Sequence, residues 1–365
     1  MNILIAGATF GTNFGDFLFA KMFQNYLGSE YGNKNVFWHK NKYTLSNFYL
    51  KYLAYHNNPY NLSDINVLVY MSGGYFCGLD RNIKDIILRF YRYFGIGLRC
   101  IIRNIPICAI GIDVKESNNW FTNIIQNYIL RHCKLIVVRN EESFQCLEKI
   151  LKGTSVEFYC STDSVFAMER DFFSKEKFEL KKENTKVKKL FLHSKPRFIR
   201  MQDFENKIIP IINLFINKHP EYSVVIAADQ YSENQEEILS YISSKIETQN
   251  KEIYYYENPV DLCNVIDNCD IIVTDKLHVG IVGCHLGKSV ISFSGHTDKI
   301  KRLYNQLGIL DRTIPLNELT IEKGIEMLDS KYLESICVPE EITQMAKNNF
   351  KLLSEFLNRY NKGNK

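Results

Sequence analysis

The sequence predicts an α/β protein made of two Rossmann-like domains, each built on a doubly wound parallel sheet. Its 365 residues suggest about two cores of ordinary size. Short apolar runs of about four to six residues alternate along the chain with helical segments, which is the pattern of parallel sheets covered on both faces. An apolar share of 45%, with 24 Phe and 22 Tyr, is enough to fill both cores and excludes a collagen-like or disordered chain.

Charge and cysteine usage narrow the class of protein further. The 45 Lys and Arg against 41 Asp and Glu give a net charge of +4, too small to indicate nucleic acid as the main partner. The ten cysteines show no C-x-x-C spacing, so we expect buried thiols in a reducing compartment. Because the first residues resemble a strand rather than a signal peptide, and no apolar run reaches about 18 residues, we expect a cytoplasmic protein without a membrane span.

The first predicted domain covers residues 1–175, and a charged linker follows at residues 176–188. Nine of the fourteen residues from Glu176 to Lys189 are Lys or Glu, which favours a solvated connection. The strands expected in the first domain are Asn2–Ala6, Asn66–Met71, Ile105–Ile110, Leu135–Val138 and Val156–Tyr159.

The second predicted domain covers residues 189–338 and repeats the alternation. Its helical pattern is clearest from Phe204 to His219, where isoleucines, leucine and phenylalanine form a broad apolar stripe. Residues 339–365 carry apolar side chains at helical spacing and predict a C-terminal helix that crosses back to the first domain. The expected strands are Lys189–His193, Ser223–Ala228, Lys251–Tyr256, Asp270–Thr274 and Ser289–Ser292.

Doubly wound domains bind ligands at the carboxyl ends of their strands, so the loops that leave the strands are the candidate site. The first such loop is a glycine-rich turn that includes Asn13, Gly15 and Asp16 and precedes a predicted helix at Phe17–Leu27. Glycine permits close backbone approach, and a helix N-terminus attracts an anion. The alternative is a tight turn in which Asp16 caps the helix.

Two further loops of the first domain carry candidate residues. Gly73 and Gly74 follow the second predicted strand and let a ligand or a neighbouring segment approach the backbone, the second being an ordinary packing role. Arg139 leaves the strand that ends at Val138 and suits a carboxylate or phosphate. The alternative for Arg139 is a salt bridge to Glu141 or Glu142.

The second domain contributes two loops. Lys276, Leu277 and His278 stand where a buried strand enters a glycine-containing helix. Histidine delivers protons near neutral pH, and the lysine with the helix dipole would anchor the anion that accepts the proton, whereas a purely structural histidine is the alternative. Lys299 opens the next helix and would hold a second anionic group, unless it is an ordinary solvated lysine.

The order of these loops resembles the polysaccharide pyruvyl transferase family over nearly the whole chain. The turn G-T-N-F-G-D is similar to the family's G-N-x-G-D, S-G-G-Y to its mid-domain G-G, and V-V-R-N-E-E-S to its V-R-D-x-x-S. The block T-D-K-L-H-V-G-I-V-G-C-H-L-G-K-S-V-I-S-F is similar to the family's R-L-H-G and G-K-P-V segments. The chain departs from the family pattern with Lys276 for arginine, Val279 for glycine, Ser289 for proline and Asn140 for aspartate.

The resemblance implies a GT-B-like protein with two Rossmann-type domains facing a cleft. It implies transfer of a pyruvyl group from phosphoenolpyruvate to two hydroxyls of a sugar, forming a cyclic ketal. His278 would be the general acid and Asp16 would contact or deprotonate the acceptor hydroxyl, while neither a metal nor a cofactor is expected. The residues that would bind substrate are Arg139, Lys276, Lys299, Asn13, Gly15, Gly73, Gly74 and Leu277.

The acceptor and the competing functions stay open on sequence grounds. The segment from Lys84 to Arg103 mixes arginines with aromatic and aliphatic residues, which fits peripheral contact with the inner face of the cell membrane and a lipid-linked glycan acceptor. The alternative is a half-buried helix whose arginines reach into water. Two other functions compete, namely a nucleotide-sugar-dependent glycosyltransferase and an inactive glycan-binding homologue that has lost the donor site at Lys276.

Overall fold

The computed structural model describes residues 1–39, 59–78, 80–169, 187–193, 201–295 and 297–361. The predicted linker, residues 176–188, lies outside the described residues as far as residue 186. The chain divides into two compact units. The first unit comprises Met1–Thr12, Asp16–Met168 and Thr343–Lys365, and the second comprises Asn13–Gly15 and Glu169–Ile342.

The first unit contains a parallel sheet of seven strands within the described residues. Its order is β2-β1-β3-β5-β6-β7, with β4 paired to β5. The strand order therefore reverses between β1 and β3, and the glycine-rich turn leaves the carboxyl end of β1 at this point. The strands are β1 (Ile3–Ala6), β2 (Val36–Trp38), β3 (Val67–Tyr70), β4 (Gly73–Phe76), β5 (Ile107–Val114), β6 (Leu135–Val138) and β7 (Glu157–Cys160).

Helices cover this sheet because each presents an apolar stripe to it. One core cluster joins apolar residues of β1, β3, β5 and β6 to residues of three helices, including Ile96, Ile129 and Leu147. A π-helical turn, Phe90–Phe94, connects two of these helices into one continuous rod. The helices of the first unit are α1 (Phe14–Tyr31), α2 (Ile83–Arg89), α3 (Gly95–Ile102), α4 (Trp120–His132), α5 (Glu141–Leu151) and, from the end of the chain, α13 (Glu340–Asn361).

Helix α13 is fixed to the first unit by polar contacts as well as by its apolar face. The amide of Asn349 donates to the carbonyl of Thr162 and to the hydroxyl of Ser164, both at 3.1 Å. Arg359 forms a bidentate pair with Glu157, at 2.5 and 3.0 Å. These contacts explain why a segment that follows the second unit in sequence belongs to the first unit in space.

The second unit contains a parallel sheet of six strands among its described residues, in the order β10-β9-β8-β11-β12-β13. The order reverses between β8 and β11, which is where open α/β sheets bind ligands. The strands are β8 (Lys188–His193), β9 (Tyr222–Ala227), β10 (Lys251–Tyr254), β11 (Ile271–Thr274), β12 (Ser289–Ser294) and β13 (Thr313–Pro315). The helices are α6 (Met201–Asp203), α7 (Ile209–Lys218), α8 (Gln235–Lys245), α9 (Pro259–Asp267), α10 (Leu277–His285), α11 (Thr297–Gln306) and α12 (Ile321–Lys331).

Helix α10 packs unusually closely on its own sheet. A Cβ atom at Gly283 would lie 2.8 Å from Cγ2 of Val290 and 3.1 Å from Cγ1 of Ile272, closer than van der Waals contact. Glycine at this position therefore lets the helix approach strands β11 and β12. The close packing fixes the height at which α10 begins above the switch point of the sheet.

The structure confirms the predicted fold class and the ten strands expected from the sequence, with ends shifted by a few residues. Strands β2 and β13 were not predicted, because each is only three residues long, and β4 was not predicted, because it begins with two glycines. The placement of Gly73 and Gly74 in a loop was wrong, since both belong to β4. Six of the ten free cysteines are buried, and Cys337 is exposed. Among the described helices, none is long and apolar enough to cross a membrane.

Candidate functional site

Three polar side chains converge at the switch point of the second sheet. His193 is the last residue of β8, Asp229 comes two residues after β9, and Asp275 comes directly after β11. Strands β9, β8 and β11 are neighbours and run parallel, so their carboxyl ends share one edge. The fold therefore gathers these side chains even though they are far apart in sequence.

The three side chains and Lys276 form a connected ionic network. His193 Nε2 lies 3.2 Å from Asp229 Oδ1, and His193 Nδ1 lies 3.0 Å from Asp275 Oδ1. The ammonium of Lys276 lies 3.1 Å from the second oxygen of Asp229. Each imidazole nitrogen lies within ion-pair distance of a carboxylate oxygen, so the arrangement favours the protonated, imidazolium form of His193.

The charges of this network shift one another's pKa values. Burial alone would lower the pKa of His193, but Asp229 and Asp275 outweigh it and the pKa is raised. Burial alone would raise the pKa of Asp229, but Lys276 and then His193 hold it well below its usual range. The pKa of Asp275 is also lowered, because His193 and Lys276 together outweigh the effect of burial. At neutral pH the network thus contains two carboxylate anions. They are balanced by the ammonium of Lys276 and by the imidazole of His193, whose protonated form they favour.

The network includes the N-cap residue of helix α10, and the first turn of this helix contains His278, the predicted general acid. Lys276 is the N-cap residue of α10, and its backbone N–H donates to Thr274 Oγ1 at 2.9 Å. Leu277 and His278 form the first turn of the helix and are half-buried. His278 consequently stands at the carboxyl edge of the second sheet, next to a lysine that a buried carboxylate fixes in place.

The second half of the glycine-rich turn lies at this same edge. The N–H of Phe14 donates to the carbonyl of Asp229 at 3.0 Å, and Asn13 forms an isolated antiparallel bridge with Gln230. A Cβ atom at Gly15 would overlap the imidazole of His278, centred on Nδ1. Glycine at position 15 is therefore required for His278 to occupy its place. The predicted residues Asn13, Gly15, Lys276, Leu277 and His278 are brought together within the second unit.

Asp16 belongs to the first unit, although it follows Gly15 directly in the chain. It is half-buried in the first turn of α1, where a carboxylate is favoured by the helix dipole. The helix begins at Phe14, two residues earlier, so the alternative in which Asp16 is the capping residue was wrong. Burial raises the pKa of Tyr93, and the negative charge of Asp16 raises it further, which places the carboxylate near that phenol.

Arg139 is already neutralised by two carboxylates of the first unit. Its Nε donates to Asp113 at 2.8 Å, Nη2 donates to the other oxygen of Asp113, and Nη1 donates to Asp163 at 2.7 Å. Burial alone would lower the pKa of Arg139, but the two aspartates outweigh it and raise the pKa. The salt bridge considered from the sequence, to Glu141 or Glu142, named the wrong carboxylates. Binding of substrate by Arg139 stays a prediction, and a bound substrate would share the guanidinium with these two carboxylates.

The contacts of Asn140 give a structural reason for the asparagine that stands where the family pattern has aspartate. Its side-chain oxygen accepts from the N–H of Ser143 at 2.9 Å and caps helix α5. Its side-chain nitrogen donates to Asp113 at 2.7 Å. An aspartate would keep the cap but would face Asp113 with a second carboxylate. The asparagine thus completes the hydrogen bonds of the Arg139 cluster.

The remaining candidates are distributed between the units. Gly73 has a φ of 155°, and a Cβ atom there would lie 2.8 Å from the ring of Tyr75, so its glycine has a local structural reason. Gly74 lies in the same strand, β4, of the first unit. Lys299 is exposed in the first turn of α11, in the second unit. Among the residues that the structure describes, no group of three or more His, Cys, Asp or Glu is arranged to hold a metal ion.

Sequence reasoning missed His193, Asp229 and Asp275 as members of the site. Each is a polar residue at or just after the carboxyl end of a predicted strand, which is a signal that could have drawn attention to them. That signal alone is common in α/β proteins. What distinguishes these three residues is the adjacency of β9, β8 and β11, which depends on the strand order.

Comparison with known proteins gives one family and one fold. The family model described as Polysaccharide pyruvyl transferase matches residues 13–297. No curated protein is significantly similar to the chain in sequence. A putative UDP-N-acetylglucosamine 2-epimerase from Listeria monocytogenes has a TM-score of 0.65 at 9% identity, covering 98% of each chain. The UDP-GlcNAc 2-epimerase from Methanocaldococcus jannaschii has a TM-score of 0.64 at 11% identity, covering 97% of this chain and 100% of the other.

A third structure, UDP-GlcNAc 2-epimerase from Neisseria meningitidis bound to UDP-GlcNAc, has a TM-score of 0.59 at 13% identity. The match covers 97% of this chain and 100% of the other. At such identities the likeness shows the fold alone. It supports the predicted GT-B-like class of two Rossmann-type domains and leaves the reaction to be argued from the site and the family.

Gly15→Ala should destabilise the protein by about 1–3 kcal/mol, because the added methyl group displaces the imidazole of His278. In a His278→Ala background the methyl group finds space, so the same change should cost much less. Chemical denaturation of the wild type, both single variants and the double variant measures this coupling. An equal cost of Gly15→Ala in both backgrounds would contradict the contact.

Asp229→Asn should destabilise the protein by about 3–5 kcal/mol, because it leaves Lys276 and His193 without their shared carboxylate. The raised pKa of His193 stabilises the fold below its unfolded value of 6.5, and this contribution is lost as pH rises through the folded value. The lowered pKa of Asp229 stabilises above 3.8 and is lost as pH falls.

The difference in unfolding free energy between wild type and Asp229→Asn should therefore be largest between pH 3.8 and 6.5 and smaller on both sides. Urea unfolding across this pH range measures it. Asp329→Asn, which removes a partly exposed pair with Lys218, is the control and should cost no more than about 1 kcal/mol. A pH-independent difference for Asp229→Asn would refute the pairing with His193.

Asn140→Asp should lower stability by about 1–3 kcal/mol, since it replaces the donor to Asp113 with a carboxylate. The loss should shrink at acid pH, where one carboxylate of the new pair becomes protonated. Asn140→Ser keeps a capping oxygen without adding charge and should show no such pH dependence. Thermal unfolding at pH 4 and pH 7 compares the two variants, and identical pH behaviour would argue against the contact.

Proposed function

Because the chain belongs to the polysaccharide pyruvyl transferase family, we propose that it transfers a pyruvyl group from phosphoenolpyruvate to two hydroxyls of a sugar. The sugar belongs to a polysaccharide or to a lipid-linked glycan precursor, and the product is a cyclic ketal. The observation that carries the proposal is the position of His278. Its imidazole lies against the backbone of Gly15 at the switch-point edge of the second sheet, where α/β folds bind their ligands.

His278 is the proposed general acid. It donates a proton to the methylene carbon of phosphoenolpyruvate, which forms the methyl group and leaves an oxocarbenium-like centre at the adjacent carbon. One sugar hydroxyl attacks that centre and forms the first new C–O bond. The bond to the phosphate oxygen then breaks, phosphate leaves, and the second hydroxyl closes the ketal. Of the two hydroxyl protons released, one restores His278 and the other leaves with phosphate.

The donor is anionic, and the second unit offers cations for it. Lys276 stands at the N-terminus of α10, where its ammonium and the helix dipole both favour an anion. Asp229 already faces this ammonium, so the donor would share Lys276 with a fixed carboxylate. Lys299 is exposed at the start of α11 and would take the second anionic group. The proposal does not depend on Arg139, whose guanidinium is held by Asp113 and Asp163.

Asp16 is the proposed contact for the acceptor hydroxyl, which it would orient or deprotonate. Its support is the chain itself, since Asp16 follows Gly15 and Gly15 lies against the imidazole of His278. Asn13 and Leu277, on either side of that contact in sequence, would line the substrate. An Asp16→Asn variant separates this role from donor chemistry, because it should affect acceptor turnover more than phosphoenolpyruvate binding.

His278→Ala should fold normally and lose about 10²- to 10⁴-fold in turnover, as expected for the removal of a general acid. The assay incubates the protein with phosphoenolpyruvate and galactose-, mannose- and N-acetylmannosamine-containing acceptors, and follows phosphate release and the mass of the acceptor. His219→Ala is the matched control, because His219 precedes β9 at the opposite edge of the same sheet. Near wild-type turnover in His278→Ala would remove His278 from the role.

The same assay separates the competing functions. Consumption of a uridine or guanosine diphosphate sugar with indifference to phosphoenolpyruvate would establish a glycosyltransferase. Glycan binding without turnover of either donor would establish an inactive homologue. A Lys276→Arg variant tests the altered donor site, since restored arginine without a gain in phosphoenolpyruvate affinity would count against a surviving site.

A further inference from the structure

The positive charge of the chain is concentrated in one part of the first unit. Residues 81–134 contain nine Lys or Arg against three Asp or Glu, a net charge of +6, whereas the whole chain has +4. Asp113, one of the three acidic residues, is buried against Arg139. The surface formed by this segment is therefore more basic than the protein as a whole.

The same segment exposes large apolar side chains in two stripes. On the rod of α2 and the π-helical turn, Ile83, Ile87 and Tyr91 recur every four residues, and Ile83 is 74% exposed. On helix α4, Trp120, Ile124 and Tyr128 show the same spacing, and Trp120 is 71% exposed. Side chains four residues apart lie on one face of a helix, so each helix turns an apolar face to solvent. We call the two stripes the apolar double stripe.

A buried aspartate ties the starts of these two helices together. Asp80 precedes α2, and its carboxylate accepts from Ser117 at 2.9 Å and from Thr122 of α4 at 2.6 Å. The side chain of Asn118 also contacts the backbone of Asp80 on both its N–H and its carbonyl. The apolar double stripe is therefore carried by a rigid pair of helix starts rather than by a loose loop.

The arginines of this segment differ in whether they make internal contacts or are exposed to solvent. Arg89 pairs with Asp80 at 3.0 Å and is largely buried, and the guanidinium of Arg92 lies 3.4 Å from the ring centre of Phe10. Those two arginines serve internal contacts. The exposed cations of the segment are Arg81, Lys84, Arg99, Arg103, Lys115, Arg131 and Lys134.

We propose that the apolar double stripe and its exposed cations form a docking surface for an anionic lipid bilayer. Apolar side chains on helices that lie flat against a membrane enter the boundary between headgroups and acyl chains, while neighbouring Lys and Arg attract anionic lipid. A second copy of the chain is a poorer occupant, because a symmetric interface would bring two surfaces of net positive charge together. The proposal concerns where the protein works and stands apart from the donor chemistry.

The test is co-sedimentation of the full chain with vesicles. Vesicles of phosphatidylcholine with phosphatidylglycerol should retain the protein, whereas vesicles of phosphatidylcholine alone should retain much less. Binding to the anionic vesicles should weaken as salt is raised, because surface electrostatics are screened. The readout needs neither phosphoenolpyruvate nor a sugar, so its failure and a failure of the proposed reaction are distinguishable.

Two pairs of variants locate the surface. The double variant Trp120→Ser with Ile124→Ser removes exposed apolar area and should lower partitioning by at least about tenfold. Leu333→Ser is its control, because Leu333 is 69% exposed in the second unit. Lys84→Glu with Arg103→Glu should also cost at least about tenfold. Lys323→Glu with Lys347→Glu makes the same change of charge at other exposed positions and should leave partitioning nearly unchanged.

Three outcomes would overturn the proposal. The first is wild-type protein that stays in solution with anionic vesicles, and the second is a loss of binding in the control variants as large as in the surface variants. The third is self-association: a wild-type dimer in light scattering that becomes a monomer in Trp120→Ser with Ile124→Ser would assign the surface to a second copy. Folding of each variant is checked by its circular dichroism and thermal unfolding, and a variant that does not fold is replaced by Ile83→Ser with Ile87→Ser.

Discussion

The contacts of Asp229 organise the carboxyl edge of the second unit's sheet. One of its oxygens faces His193 and the other faces Lys276, while its backbone carbonyl accepts from Phe14 in the glycine-rich turn. A single loop residue thus connects the central strand β8, the N-cap of α10 and the segment that carries Gly15. Because a buried carboxylate without partners would be costly, the three connections support one another. The place of His278 follows from this arrangement, with Gly15 supplying the space and Asp229 fixing the lysine two residues earlier.

Each unit has a cluster of buried charged side chains at the carboxyl ends of its strands, and in both clusters the charges are paired. The pairing differs between the two units. In the second unit Lys276 stands at the start of helix α10 and pairs with Asp229. In the first unit Arg139 is closed off by Asp113 and Asp163, and Asn140 supplies a further donor. An arginine at the end of a strand therefore does not by itself indicate a ligand. Its meaning depends on which carboxylates the neighbouring strands bring beside it.

Most of the architecture could be predicted from the sequence, and the limits have physical causes. Runs such as Leu135–Val138 and Ile271–Thr274 are apolar on both sides because both faces of a parallel sheet are covered, and that pattern is local. The pairing of His193 with Asp229 and Asp275 is not local, because it depends on which strands are neighbours. The paired glycines of strand β4 predict a loop, because glycine weakens a strand, whereas in the structure Gly73 adopts a backbone angle that other residues avoid.

The attachment of α13 to the first unit affects the order in which the two units can fold during synthesis. The unit needs residues from Thr343 onward, and the ribosome produces them only after the whole second unit has been synthesised. The second unit, apart from Asn13–Gly15, is continuous and can begin to fold while the first still lacks the helix that covers Thr162 and Glu157. The first unit can therefore complete its fold only after the second unit has been synthesised, and Phe23 lacks its contact with Phe350 until then.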